Sequence, residues 1–591
     1  MSTSLDPAPQ VAAYGTWESP IQPDHFAAPG SVGLDEVYVN RNNGNVYINE
    51  LRADEDGRGV IVEFIHDGKS KDVLPKQFNA ISQVHEYGGA SFAVNQATSL
   101  LVFTDWVTKS VFNLDPDSQH VEAIVEADLR TYYADFDVHP VDHKYVVAIM
   151  ENHHPATISD VENSLVVIDS ATKEVRTLAQ GSDFYTFPRF SPDGKKLAWV
   201  QWNHPNMPWD NTELAIKLDG LAESEFGFPE WFLGGSSYAL LEATKLVACY
   251  NRNGRWTIIE VDTDTFKWRD LGLPIVQIPI NALKAVGDTS FVVIGSTSSL
   301  PNVATVVNVS HPGLGRVLRR SSTISLPADY ISSPQNVVFP RVHGPGGGNA
   351  SGLFLPPRNA RYIGPDGTLP PLIVAMHGGA TYQNGLGFYL RDHALTTRGY
   401  ALLQVNYVGG SGYGRSYRGL VATQWGVSDI ADAVSGIEYL AKQGLIDISR
   451  VGLTGHSAGG VRHDAGVGEI SLAVGLWRGR KQCLGYGSVG KRDAQIRVSI
   501  PGTFDAILKE RSPLSHAAKI TSPILIISGA DDTVVPPNQA YLLAKLIKNA
   551  GTEVSLKIYD GEGHVFARGS TLSNIETWRY AWFRKYLAKE S

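Results

Sequence analysis

Arg450-Val451-Gly452-Leu453-Thr454-Gly455-His456-Ser457-Ala458-Gly459 is the stretch that decides the fold of the second half of this chain. Arg450 to Thr454 reads as a buried strand, and Gly455 to Gly459 fits G-x-S-x-G. A serine placed directly after such a strand sits on a sharp strand-to-helix turn, which lifts its hydroxyl clear of the sheet. Glycines on both flanks let the backbone turn and come close without a Cβ clash. The string alone also fits a Gly-rich loop that happens to hold a serine. The strand before it and the partners after it select Ser457 as a nucleophile.

Working outward, the chain alternates strands and helices from about residue 335 to its end. Leu372–Met376 and Tyr400–Val405 are apolar runs of strand length, and Pro523–Ser528 and Ser555–Tyr559 read as later strands. Ser428–Gln443 has helical spacing, with Ile430, Val434, Ile437 and Leu440 on one face. This pattern predicts a doubly wound, mostly parallel sheet, the α/β-hydrolase type once the serine turn is included. Pro340–Gly348 reads as a hairpin within this half.

A serine hydroxyl needs an adjacent base, and on this fold the order is Ser, then an acid, then His. The strand ending at Ser528 runs into Gly529-Ala530-Asp531-Asp532, and the strand ending at Tyr559 runs into Asp560-Gly561-Glu562-Gly563-His564. Ser457, Asp532 and His564 are 75 and 32 residues apart, room for at least one strand–helix unit each time. His564 is expected to accept the serine proton at one ring nitrogen while Asp532 holds the other. Asp531 is the competing acid, and its place at the strand end does not separate the two. His456 and His377 are weaker candidates for the base, since each sits in a turn whose geometry the site needs. His377-Gly378-Gly379 follows a buried strand and can aim a backbone N–H at a developing oxyanion, with Ala458 N–H as its partner; a plain turn is the alternative. Gly409-Gly410-Ser411-Gly412-Tyr413-Gly414 lacks the Lys-Ser/Thr of a phosphate loop and reads as an active-site loop. No metal motif is found, and neither a metal nor a cofactor is expected.

Before residue 335 short strands alternate with turns. Examples are Val46–Ile48, Gly59–Phe64, Leu100–Phe103, Tyr145–Ile149, Ser164–Ile168, Lys196–Val200, Lys245–Cys249, Trp256–Val261 and Ser290–Ile294. Long helical periodicity is nearly absent from 40 to 330. A run of this length favours a β-propeller over a sandwich, with two unrelated β domains as the alternative. The expected division is an N-terminal segment 1–30, a propeller 31–333 and a catalytic domain 334–591, with the boundary near Ser332-Ser333-Pro334.

A chain of 591 residues exceeds what one core supports. Its net charge of −9 argues against a nucleic-acid binder, and two cysteines cannot form a disulfide framework. No apolar run suggests a signal peptide or membrane span, so the cytosol is the expected location. The glycosylation-like triplets at Asn308 and Asn349 matter only in a secreted chain.

These residues together resemble the prolyl oligopeptidase family of serine peptidases, in its dipeptidyl aminopeptidase/acylaminoacyl peptidase-like branch. The resemblance rests on His377-Gly378-Gly379, Asn406-Tyr407 through Arg415, Gln424-Trp425-Gly426-Val427, Gly455 through Gly460, Glu510-Arg511-Ser512-Pro513, Asp532 through Gln539 and Gly561 through His564. In the first half it rests on Val84-His85-Glu86-Tyr87-Gly88-Gly89, Tyr133 through Phe136, Phe184 through Gly194, and His204 through Asp210. It implies a propeller that caps the catalytic face, a short peptide or small amide or ester as substrate, Asp532 over Asp531, and Gly379 with Ala458 as the oxyanion pair. Members that bind a substrate amine use paired acids on the propeller side; here Glu223 and Glu225 are candidates by composition alone. Departures are Val461 to about Pro501, which lacks the apolar, Ala-rich character of the helix after the nucleophile, and a shortened run from Asp219 to Trp231. Ala380 and Val408 replace the usual proline and arginine. The leading expectation is a cytosolic serine peptidase for short peptides. An esterase or amidase on a small metabolite, or an inactive interaction protein, are the alternatives. No nucleic-acid or membrane partner is expected.

Overall fold

The computed structural model describes residues 8–65, 68–153, 161–203, 224–227, 232–379, 381–421, 424, 426–457, 472–476 and 513–589. Between Val32 and Arg320 the described residues form six antiparallel sheets, each a meander in chain order. The first sheet runs from Val32 to Asp72, the second from Phe92 to Val125, the third from Thr131 to Gln180, the fifth from Tyr238 to Asp270 and the sixth from Leu283 to Arg320. The fourth holds Phe184–Phe190 and Leu197–Trp202. All nine strands expected in this half lie within these sheets.

Apolar alternation buries one face of each sheet against its neighbour. Val60 and Val62 of the first sheet share a core with Val247 and Ile258 of the fifth and with Phe291 and Val293 of the sixth. The leading strand of the sixth sheet packs on that of the first, just as the leading strands of the first three sheets pack in succession. The leading strands of the first and third sheets carry bulges, and a bulge re-aims a side chain. Glu36 and Asp135 are turned this way. The Glu36 carboxylate accepts the Ser91 N–H at 3.0 Å, and Asp135 accepts the Phe187 N–H at 2.7 Å. Each acid therefore ties one sheet to the next. Burial holds the Glu36 carboxyl well above the usual carboxylate range.

The second half is built on one eight-stranded sheet. Its strands are β1 (Gln335–Pro340), β2 (Asn349–Leu355), β3 (Pro371–Met376), β4 (Ala401–Asn406), β5 (Asp447–Gly455), β6 (Leu472–Leu476), β7 (Ile524–Gly529) and β8 (Val554–Tyr559). Their spatial order is β1-β2-β4-β3-β5-β6-β7-β8. All run the same way except β2 and β6, which are antiparallel to their neighbours. The expected hairpin joins β1 and β2, closed by the Arg341 N–H on the Gly348 carbonyl at 3.0 Å. Helix α1 (Ser428–Lys442) covers one face through Val434, Ile437 and Leu440. Helix α2 (Pro537–Asn549) packs on β7 and β8, and α3 (Gly569–Leu587) covers the other face through Leu572, Ile575 and Phe583. A sheet sealed on both faces explains why its central strands read as unbroken apolar runs.

The N-terminal residues lie against this second half. Gln10–Val11 pairs with Tyr362–Ile363, Trp17 stacks on Tyr362, and the turn Pro23–Ala27 packs on α3. No helix among the described residues is long and apolar enough to cross a membrane.

Candidate active site

Strands β3, β5, β7 and β8 end at one edge of the sheet, and every expected catalytic residue in the described chain follows one of these ends. Ser457 comes two residues after β5. Its φ is +49°, in the left-handed region that non-glycine residues rarely adopt. That strain is what a turn needs to hold a hydroxyl clear of the sheet. His564 follows β8, and its Nε2 lies 3.2 Å from Ser457 Oγ. Its Nδ1 lies 3.0 Å from Asp532 Oδ2 and 3.1 Å from Oδ1. One imidazole thus bridges hydroxyl and carboxylate, all within hydrogen-bond reach.

Two devices hold that bridge. The Asp532 carboxylate is buried and accepts the N–H groups of Val534 and Val535 at 2.9 and 2.7 Å, so its turn fixes its own side chain. Asp531, the competing acid, is exposed, and its N–H donates to the Glu562 carbonyl at 2.9 Å. Glu562 is buried, and its carboxylate accepts the N–H groups of Ala567 at 2.9 Å and Arg568 at 3.3 Å, which braces the loop that carries His564. In the sequence Glu562 carries no motif of its own, and its place two residues before the histidine is the one signal of this role. Gly529 faces the carbonyls of Glu562 and Gly563 too closely for any Cβ, so the acid's strand and the histidine's loop meet backbone to backbone.

The other two histidines differ from His564. His377 is fully buried and stacked on Tyr407 at 4.0 Å, and burial pushes its pKa down to about 4. His456 is buried with its ring 5.3 Å from that of His564. Gly379 has φ +56° in the turn after β3, closed by the Tyr382 N–H on its carbonyl at 2.7 Å. Met376 pairs in register with Gly455, so the Gly379 turn and the Ser457 turn leave the sheet side by side. Ala458, Glu223, the motif residues Glu510 to Ser512, and Val461 to Pro501 apart from Leu472–Leu476 lie outside the described residues.

The Gly409–Gly414 loop contacts the first half. Gly412 and Gly414 donate their N–H groups to the Glu225 carboxylate at 2.8 and 3.0 Å, and Arg418 approaches the same carboxylate at 3.3 Å. Glu225 is therefore engaged in docking this loop. A small cavity beside it is lined by Asn251, Gln277, Gln383 and Ser411, drawn from both halves.

The model of the prolyl oligopeptidase family matches residues 387–468 and 499–590, on either side of the atypical stretch after Ser457. Over these two stretches the chain is similar to the prolyl oligopeptidase family. It is 28% identical over 252 residues to acylamino-acid-releasing enzyme 1 of Oryza sativa subsp. japonica, covering 38% of this chain and 31% of that protein. It is 29% identical over 231 residues to the uncharacterized peptidase YuxL of Bacillus subtilis (strain 168), covering 37% and 35%. These matches span about a third of the length of the curated relatives. Among solved structures, a puromycin-hydrolyzing peptidase of Mycobacterium tuberculosis superposes with a TM-score of 0.85 at 27% identity over 98% of both chains. The acylaminoacyl peptidase of Pyrococcus horikoshii superposes at 0.66 with 15% identity over 98% of both, a likeness of fold.

Proposed function

We propose that this chain is a serine peptidase that cleaves short peptides, of dipeptidyl or acylaminoacyl type, through an acyl-enzyme on Ser457. The observation that carries the reading is the unbroken contact from Ser457 Oγ through the His564 ring to Asp532, at 3.2 and 3.0 Å. His564 Nε2 takes the serine proton as Oγ attacks the scissile carbonyl. Asp532 keeps the ring in the tautomer with Nδ1 protonated and stabilises the imidazolium. The N–H groups of Gly379 and Ala458 hold the oxyanion. His564 then donates its proton to the leaving amine, and water enters by the reverse sequence.

The division into 1–30, 31–333 and 334–591 goes with this reading. The six sheets of the first half act as blades of a propeller over the catalytic edge, and substrate is limited to what passes into the chamber between the halves. A folded protein would have to unfold locally to reach Ser457, on top of ordinary binding costs. The puromycin-hydrolyzing likeness favours a small amide as a second substrate class. The test is a fluorophosphonate probe, which reports an activated serine whatever the substrate, followed by a short peptide offered free and within an ordered segment of a folded protein. Labelling lost in Ser457→Ala, with the free peptide alone cleaved, supports the proposal. No labelling, or equal cleavage of both, overturns the serine or the chamber respectively.

A further inference from the structure

The first half also reaches the catalytic edge through one costly loop. Gln83–Ala90 joins the first and second sheets. Within it His85, Glu86 and Ala90 have φ of +60°, +70° and +48°, and Gly88 and Gly89 have +75° and +90°. Left-handed backbone at three non-glycine residues in so short a run persists only where the surroundings over-determine it. Here they do. The Glu151 carboxylate accepts the His85 N–H at 3.2 Å, Leu233 donates to the Gly88 carbonyl at 2.9 Å, and Asp135 donates to the Ala90 carbonyl at 2.9 Å. The His85 ring is buried edge-on to Phe184 and Trp202, at 5.2 and 5.9 Å. A Cβ on Gly89 would lie 2.6 Å from the Leu233 carbonyl oxygen.

What this investment places is Tyr87. Its ring lies 6.3 Å from the His564 ring, with the planes at 78°, and 5.9 Å from Phe232. That is the perpendicular arrangement aromatic pairs favour. A base in this site must keep Nδ1 on Asp532 and Nε2 on Ser457 at once, and a small swing of the ring breaks one contact or the other. Two hydrogen bonds in the plane of the imidazole leave its tilt free, so the rings packed against it, Tyr87 from the first half and His456 from the second, bear on that tilt.

We propose that Tyr87 is a positioning residue for His564, delivered by the strained His85–Ala90 loop. It rests on the reading of His564 as the base. The catalytic geometry is then complete only when the two halves of the chain are docked, because one contact of the base comes from outside the α/β half.

The test compares Tyr87→Ala, Tyr87→Leu and Tyr87→Phe in the full chain by kcat, KM and the rate of fluorophosphonate inactivation. Loss of one aromatic pair predicts about a tenfold fall in kcat and in inactivation rate for Ala and Leu, with KM nearly unchanged. Phe, which keeps the ring, should stay within about twofold to threefold of the parent. Parent-like rates in Tyr87→Ala and Tyr87→Leu, an effect confined to KM, or equal loss in Phe and Ala would each overturn the proposal. So would unfolding of both Ala and Leu, which would assign Tyr87 to packing. Labelling of the parent but not of Ser457→Ala keeps the triad reading standing whichever way Tyr87 falls.

Discussion

Two turns meet at the catalytic edge, and they differ in how they hold strain. The turn at Ser457 follows a buried strand and has one described non-glycine residue in the left-handed region, φ +49°. The His85–Ala90 loop follows no strand and has three such residues, with two glycines between them. In the first, sheet hydrogen bonds lead straight into the strained residue. In the second, contacts from the third and fourth sheets and from Leu233 converge on the loop from far along the chain. Strain beside a strand is local, whereas strain in a free loop needs a tertiary frame.

Substitutions can break that comparison at either turn. Ser457→Ala has the largest expected effect, a loss of several orders of magnitude in turnover with the fold intact. Retained hydrolysis of peptide or ester by the purified variant would remove Ser457 from the chemistry.

Next comes the acid. Asp532→Asn should lower kcat by about 10⁴-fold, because an amide cannot hold the same imidazole tautomer. Steady-state kinetics on a short peptide checks this. An effect below tenfold would return the choice to Asp531.

At the other turn the loss should be of stability. Gly89→Ala places a Cβ at φ +90° against the Leu233 carbonyl and should destabilise by roughly 3 kcal/mol or more. A denaturation midpoint equal to the parent's would mean that the loop is not held from outside.

Two buried histidines also set an acid limit. His377 and His393 are buried as neutral rings, with pKa values pushed down to about 4 by burial. Unfolded, each takes a proton near pH 6.5. A depressed folded pKa therefore leaves stability intact above about 6.5 and erodes it as pH falls toward 4, by roughly 1.4 kcal/mol per pH unit for each ring. His393→Leu should flatten that slope in urea midpoints taken between pH 7 and 4.5, and an unchanged slope counts against the buried neutral ring.

Asp531→Asn has the smallest expected effect. Its side chain is exposed, so kcat and the midpoint should stay within about twofold and 0.5 kcal/mol of the parent. A larger change in kcat alone would reopen the assignment of the acid.

Much of this was legible in residue order. Strands β3, β4 and β7 announced themselves as apolar runs, because a strand buried on both faces cannot alternate. Helix α1 was read to within one residue from its spacing. Less visible was Glu562, whose carboxylate braces a loop through backbone N–H groups, since nothing in a residue's type announces which backbone it will meet. Glu225 was a candidate for an amine and is engaged instead by Gly412 and Gly414, from a loop nearly two hundred residues away. The packing of residues 10–27 on the α/β half was equally hidden, because a two-residue strand and a single turn carry no periodicity.

The sequence by itself determined the turn at Ser457 directly after a strand, the order of serine, acid and histidine after strand ends, and the change from strand meanders to strand–helix alternation near residue 335. These are local facts, since the period of apolar residues and the residue types at turns act over a few positions. Only the tertiary structure decided that Glu36 and Asp135 tie one sheet to the next, that Glu562 braces the His564 loop, and that Tyr87 stands beside the His564 ring. Each of these depends on which atoms long-range packing brings within a few ångströms, and burial gives such contacts their energy.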